Sequence, residues 1–243
     1  MVWLAGWSPE MGRARRYRAA LLNLLYTVLI VAGTWTLSSL GYFQLEPMLH
    51  AEIGYNDAPI SFAVYYAFWA VLVLVIFRQS FQRAGDLSVT PVRLGVMALM
   101  LTAFAIFAMG VLPRLPQMEW TRTQSPVEFF WANSWYFLPK TVEILFQQIL
   151  IAALVFALAR LRLRTRTISL LVAGMFGAFH LTLALSYPNP LYVLRYSVAA
   201  ALFGALVPWV LINLRHGFLI TFGIHWAYYA LDAIAIHFVF ASS

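Results

Sequence analysis

The sequence predicts an all-helical, polytopic membrane bundle of about seven transmembrane helices with its N-terminus in the cytoplasm, and three observations predict it. Of the 243 residues, 63% are hydrophobic and only 10% charged, too little polar surface to cover a water-soluble domain. The apolar residues gather into runs of about 20, the length a helix needs to cross a hydrocarbon core. The basic residues concentrate in alternate connecting segments, as cytoplasmic loops do.

The runs lie near 20–42, 58–77, 94–112, 137–159, 168–186, 191–213 and 218–239. Helix breakers stand where they meet. Pro47 and Gly54 follow the first, Pro59 opens the second, Pro91 precedes the third, Pro113 and Pro116 follow it, and YPNP at 187–190 parts the fifth from the sixth. With the N-terminus inside, Arg13, Arg15, Arg16, Arg18, Arg78, Arg83, Arg93, Arg160, Arg162, Arg164, Arg166 and Arg215 all fall on the cytoplasmic side. Only Arg114, Arg122 and Lys140 fall outside, and Arg195 lies within a run. The net charge of +7 is therefore read as topology, and nucleic acid is not expected as a partner. The loop RLRLRTRT at 160–167 reads as a topology determinant in contact with anionic lipid. MGRARRYRAALL precedes an apolar run too long for a cleaved signal, so a retained signal anchor is expected. Residues 117–136 mix aromatic and polar groups and are expected to form an interfacial helix on the outer surface. The expected organisation is one membrane domain, with spans 1–3 and that interfacial helix in 1–136 and helices 4–7 in 137–243. The location implied is a bacterial inner (plasma) membrane, crossed many times.

Composition also excludes chemistries. There is no cysteine, hence no disulfide, no thiolate nucleophile and no cysteine-ligated metal. The chain has no His-Glu-x-x-His zinc helix, no Gly-x-Ser nucleophile loop in its apolar runs and no aspartate pair.

Ionisable residues within the runs are few: Glu143, His180, Arg195, His225, Asp232 and His237. A charge at membrane depth is costly and persists only where it faces protein or water. At 100° per residue, Lys140, Glu143 and Gln147 share a face of helix four, whereas Gln148 points away. Lys140 either pairs with Glu143 or snorkels to the headgroups. His225, Tyr229 and Asp232 form one stripe on helix seven, and Phe176 and His180 share a face of helix five beside Gly174 and Gly177. Those glycines are expected to admit a neighbouring helix. A lone intramembrane histidine is commonly bonded to a carbonyl, and Gln147 is explained as helix-to-helix glue. Three helices that each deliver a Glu or His to the interior are harder to explain that way.

The same residues resemble a known family. VEILFQQ (142–148) is similar to the Glu-Glu-x-x-x-Arg motif of the CAAX-processing and bacteriocin-protection (CPBP, or Abi) membrane endopeptidases. FGAFH (176–180) resembles their Phe-x-x-x-His motif, and residues 201–231 resemble their closing block, which ends in His-x-x-x-Asn. The resemblance covers about residues 137–235. It implies a buried site in which a Glu and a His activate water against a peptide carbonyl while a second His and an Asn stabilise the oxyanion. No cofactor is required by the sequence, and a divalent metal such as zinc is compatible with it. The implied partners are the lipid bilayer and a membrane-proximal peptide or protein substrate. On this chain the catalytic positions become Glu143, His180 and His225, assisted by Tyr229 or Asp232 and supported by Gln147, Phe176 and Arg195.

Three motif positions depart from the family. Val142 stands for the first Glu, Gln147 for the Arg and Tyr229 for the Asn. Glu143 thereby loses its i+4 cation, and must be neutral or find another. Arg195 lies at a similar depth, roughly 6–9 Å below the outer surface at 1.5 Å per residue, and offers a second cation. Two further readings follow. One is a member that has lost catalysis and serves as a scaffold or partner-binding subunit. The other is a proton or small-molecule carrier, which the lack of internal two-fold symmetry disfavours.

Overall fold

The structure is a computed structural model that describes residues 9–52, 54–83, 90–116, 132–185 and 190–241. It is all-helical, and no strand occurs among the described residues. The helices are α1 (Pro9–Met48), α2 (Pro59–Arg83), α3 (Pro91–Ile106), α4 (Phe137–Ala159), α5 (Thr165–His180), α6 (Pro190–Asn213) and α7 (Gly217–Ala241). Among the described residues, seven helical stretches are long and apolar enough to cross a membrane, from Tyr17–Met48 to Gly217–Phe238. The chain is a multi-pass membrane protein.

Local sequence explains the boundaries. Proline opens α2, α3 and α6, where its missing N–H costs nothing and its fixed φ suits the first turn. Thr90 caps α3, its Oγ1 accepting from the Arg93 N–H at 3.2 Å. Contrary to the expectation that Pro47 lies beyond the first span, α1 runs through it and stops one residue later. The chain then reverses at His50, which has φ of 52°. Helix α3 does not end cleanly either. It passes into a π turn at Phe107–Val111 and a 3-10 turn at Leu112–Arg114, where Pro113 prevents continuation. Of the expected interfacial helix, residues 117–131 lie outside the described set. Residues 134–136 form a turn in which Asn133 Oδ1 accepts from the N–H groups of Trp135 and Tyr136, immediately before α4. Residues 187–189 of the YPNP breaker also lie outside it.

The described chain forms two compact units, Met1–Gly33 with Ile151–Ile212 and Thr34–Leu150 with Asn213–Ser243. In the first, α5 and α6 meet backbone to backbone. A Cβ added at Gly204 would lie 2.9 Å from the Val172 carbonyl oxygen and 3.0 Å from Ala173 Cα, so only glycine admits this approach. Gly177 makes the second close approach, with Ala201 Cβ 3.2 Å from where its own Cβ would be. Gly174, expected to do the same, has nothing within 4 Å. Arg160 donates to Asn23 Oδ1 at 3.0 Å, tying the end of α4 to α1 within this unit.

The second unit packs aromatic rings between α3, α4 and α7. Phe104 stacks on Trp226 with centroids 3.8 Å apart, and Phe107 and Phe137 meet the same indole at 5.4 and 5.3 Å. The π turn supplies Phe107 to this cluster. Trp226 Nε1 donates to Thr141 Oγ1 at 2.9 Å, which sets the register of α7 on α4. Two turns further along α4, Gln148 is fully buried and donates to Thr221 Oγ1 at 2.6 Å. Every position from 148 to 155 of α4 is buried, which accounts for a helix apolar on all sides.

Candidate active site

Register on α4 and α7 decides what surrounds Glu143. The i−3 and i+4 positions of a helix adjoin residue i, and here they hold Lys140 and Gln147. Lys140 Nζ lies 3.1 Å from Glu143 Oε2 in an ion pair whose side chains are 5% and 14% exposed. Gln147 Nε2 donates to Oε1 at 2.9 Å. A third donor, the Tyr55 hydroxyl, reaches Oε2 at 3.0 Å. A carboxylate offers about four acceptor positions, so the described residues leave one, on Oε1.

The cation also faces α7. Lys140 Nζ lies 4.4 Å from the Tyr229 ring centroid, an arrangement that attracts through the ring's negative face. Tyr229 in turn stacks on His225, with centroids 5.4 Å apart and 27° between planes. Gln147, Glu143, Lys140, Tyr229 and His225 thus form one continuous chain of contacts. Lys140 pairs with Glu143 instead of snorkelling. Asp232 is buried on the same stripe of α7. Near the end of α7, His237 Nδ1 lies 2.9 Å from the Pro116 carbonyl oxygen. A carbonyl only accepts, so that nitrogen carries the proton.

His180, Phe176 and Arg195 belong to the other unit. His180 Nδ1 lies 2.9 Å from the Phe176 carbonyl oxygen one turn earlier, and a carbonyl only accepts, so Nδ1 carries a proton. In the neutral ring Nε2 is then the nitrogen with the lone pair that a general base uses. The Arg195 guanidinium lies over the rings of Tyr196 and Tyr192, at 5.0 and 5.8 Å, on its own helix.

Tyr55 escaped the sequence reading because it comes from the 3-10 turn Gly54–Asn56 between spans. Gly54 makes that turn possible. Its φ is +54° and a Cβ there would lie 2.8 Å from the Tyr42 hydroxyl. The Tyr55 ring is held by Tyr42, Phe62, Tyr66 and Tyr136, with centroids 5.3–6.0 Å away. Burial pushes the Tyr55 phenol well above its ordinary pKa, and the Glu143 carboxylate pushes it further the same way. Because the folded value lies above the unfolded value of about 10, this contribution to stability is complete below about pH 10. It is lost as pH climbs through the raised value. Difference absorbance titration of wild type against Tyr55→Phe is expected to show this phenol ionising above the ordinary tyrosine range, and Glu143→Gln to bring it down. The loss of a hydrogen bond to a charged group is expected to cost Tyr55→Phe about 1.5–3 kcal/mol in thermal unfolding.

No group of three or more His, Asp or Glu converges among the described residues in a way that would hold a metal ion. The ammonium of Lys140 beside Glu143 also opposes a second cation there. These residues do not fit the divalent metal compatible with the sequence, and no step is routed through one. No protein-family model, curated protein or solved structure matches this chain.

Proposed function

We propose that this protein is a membrane-embedded endopeptidase of the CPBP kind, with Glu143 as the residue that orients and deprotonates water. The observation that carries the reading is the remaining acceptor position on Glu143 Oε1, beside a carboxylate whose other positions are held by Lys140, Tyr55 and Gln147. Water bound there gives its proton to Oε1 as its oxygen attacks the peptide carbonyl carbon. The proton then passes to the departing amine, and the products are a carboxylic acid and an amine. Lys140, Tyr229 and His225 are the donors that meet the oxyanion, Tyr229 taking the place that Asn holds in the family pattern. The reading includes a bacterial inner membrane with the arginine-rich loops inside.

The test uses purified protein in lipid nanodiscs and a panel of quenched fluorescent peptides tethered to lipid. Wild type is expected to cleave members of the panel, and Tyr229→Phe and His225→Ala to slow cleavage by about 10²–10³ for each oxyanion donor lost. His180→Ala tests the base role that the resemblance assigns to α5. Equal cleavage by wild type, Tyr229→Phe and His225→Ala would refute the proposal.

One observation favours the scaffold reading as the alternative. Glu143 draws all three of its partners from the protein, as a structural ion pair does, while Val142, Gln147 and Tyr229 replace family residues. That reading is supported by a wild type that cleaves nothing and a partner that co-purifies equally with wild type and His180→Ala.

A further inference from the structure

Within the first unit, the start of α5 and the end of α6 enclose a groove of about 330 Å³ lined by Thr165, Arg166, Ser169, Leu170 and Trp209. Its place along the helices matters. Thr165 is the first residue of one apolar span and Trp209 lies four residues from the end of the next, so the groove opens where hydrocarbon gives way to headgroups. Indole rings settle at that level. Its walls are almost wholly apolar, built by Leu170, the Trp209 indole and the carbon atoms of Thr165, Ser169 and Arg166, while Arg166 itself is exposed.

The charge around it is one-sided. Between Glu143 and Asp232 the sequence holds Arg160, Arg162, Arg164, Arg166, Arg195 and Arg215 and not one acid. Helices α5 and α6 therefore bring no carboxylate to the groove. Arg160 is engaged by Asn23, whereas Arg162, Arg164 and Arg166 are exposed. We propose that the groove holds an acyl chain of one anionic phospholipid, packed along Leu170 and Trp209, with the lipid's phosphate met by the exposed Arg166. Arginine suits this role because its planar fork meets two phosphate oxygens at once. Basic sites between transmembrane helices at the cytoplasmic surface recognise anionic headgroups by the same means.

Native mass spectrometry of the detergent-solubilised full chain tests the assignment, with phosphatidylglycerol and phosphatidylcholine of matched acyl chains as probes. One phosphatidylglycerol is expected to be retained in clear preference to phosphatidylcholine, and millimolar inorganic phosphate is expected not to displace it. Arg166→Gln should weaken retention about fivefold, the effect of one basic residue near a charged headgroup. Ser169→Leu, which fills the groove without altering charge, and Trp209→Ala should weaken it too. Arg162→Gln, outside the groove, should change it less than twofold. Equal retention of the two lipids would overturn the proposal, as would release by inorganic phosphate. So would an Arg162→Gln effect as large as that of Arg166→Gln with Ser169→Leu silent, because attraction would then be spread over the loop.

Discussion

Replacing Lys140 by methionine is expected to destabilise the protein by about 3–5 kcal/mol, the cost of leaving a buried charge without its counter-ion. The ammonium and the Glu143 carboxylate are 3.1 Å apart, with side chains only 5% and 14% exposed. At that depth water replaces the lost partner poorly, and Tyr55 and Gln147 supply dipoles but no charge. Glu143→Gln placed on the Lys140→Met background is expected to recover most of the loss, because both charges are then gone. Thermal unfolding of the four proteins in one lipid mixture measures the coupling. Independent, additive losses would mean that the pair contributes nothing as a pair.

Gly204→Leu is expected to be comparably damaging, through packing instead of charge. The nearest atoms to a new Cβ are the Val172 carbonyl oxygen, Ala173 Cα and Ala173 N, all backbone, at 2.9–3.1 Å. Backbone cannot swing aside as a side chain does, so α5 and α6 must separate. Overpacking usually costs about 1–3 kcal/mol. Gly204→Ala should fall in that range and Gly204→Leu at or beyond its upper end. Gly33→Ala is the control, since nothing lies within 4 Å of that position. A helix gains roughly 0.8–1 kcal/mol when alanine replaces glycine. Equal melting of Gly204→Leu and wild type would show that the two helices do not meet at this point.

The spans were legible because hydropathy and proline act locally, and a 20-residue apolar run needs no knowledge of its neighbours. Boundaries differ from the sequence reading mainly at α1, whose helix continues through Pro47. The π turn after Ile106 leaves no sequence signature beyond Gly110 and Pro113. At the site, the i, i+3 and i+7 spacing of Lys140, Glu143 and Gln147 was readable, and the structure joins all three. Tyr55 was not readable, because it reaches Glu143 from 88 positions away through a turn shaped by Gly54. Gly174, Gly177 and Gly204 make the same point. Glycine spacing marks a helix that can be approached, but the rotation of its neighbour decides which glycine is used.

The central claim is that Glu143 acts on water as well as holding Lys140. The most direct measurement is peptide cleavage by the Lys140→Met, Glu143→Gln double variant in nanodiscs, which the charge argument expects to be folded. The double variant is expected to melt near wild type and to lose both the general-base contribution of Glu143, about 10²–10⁴ in rate, and the oxyanion donor that Lys140 supplies. A folded double variant that cleaves as fast as wild type would contradict that claim.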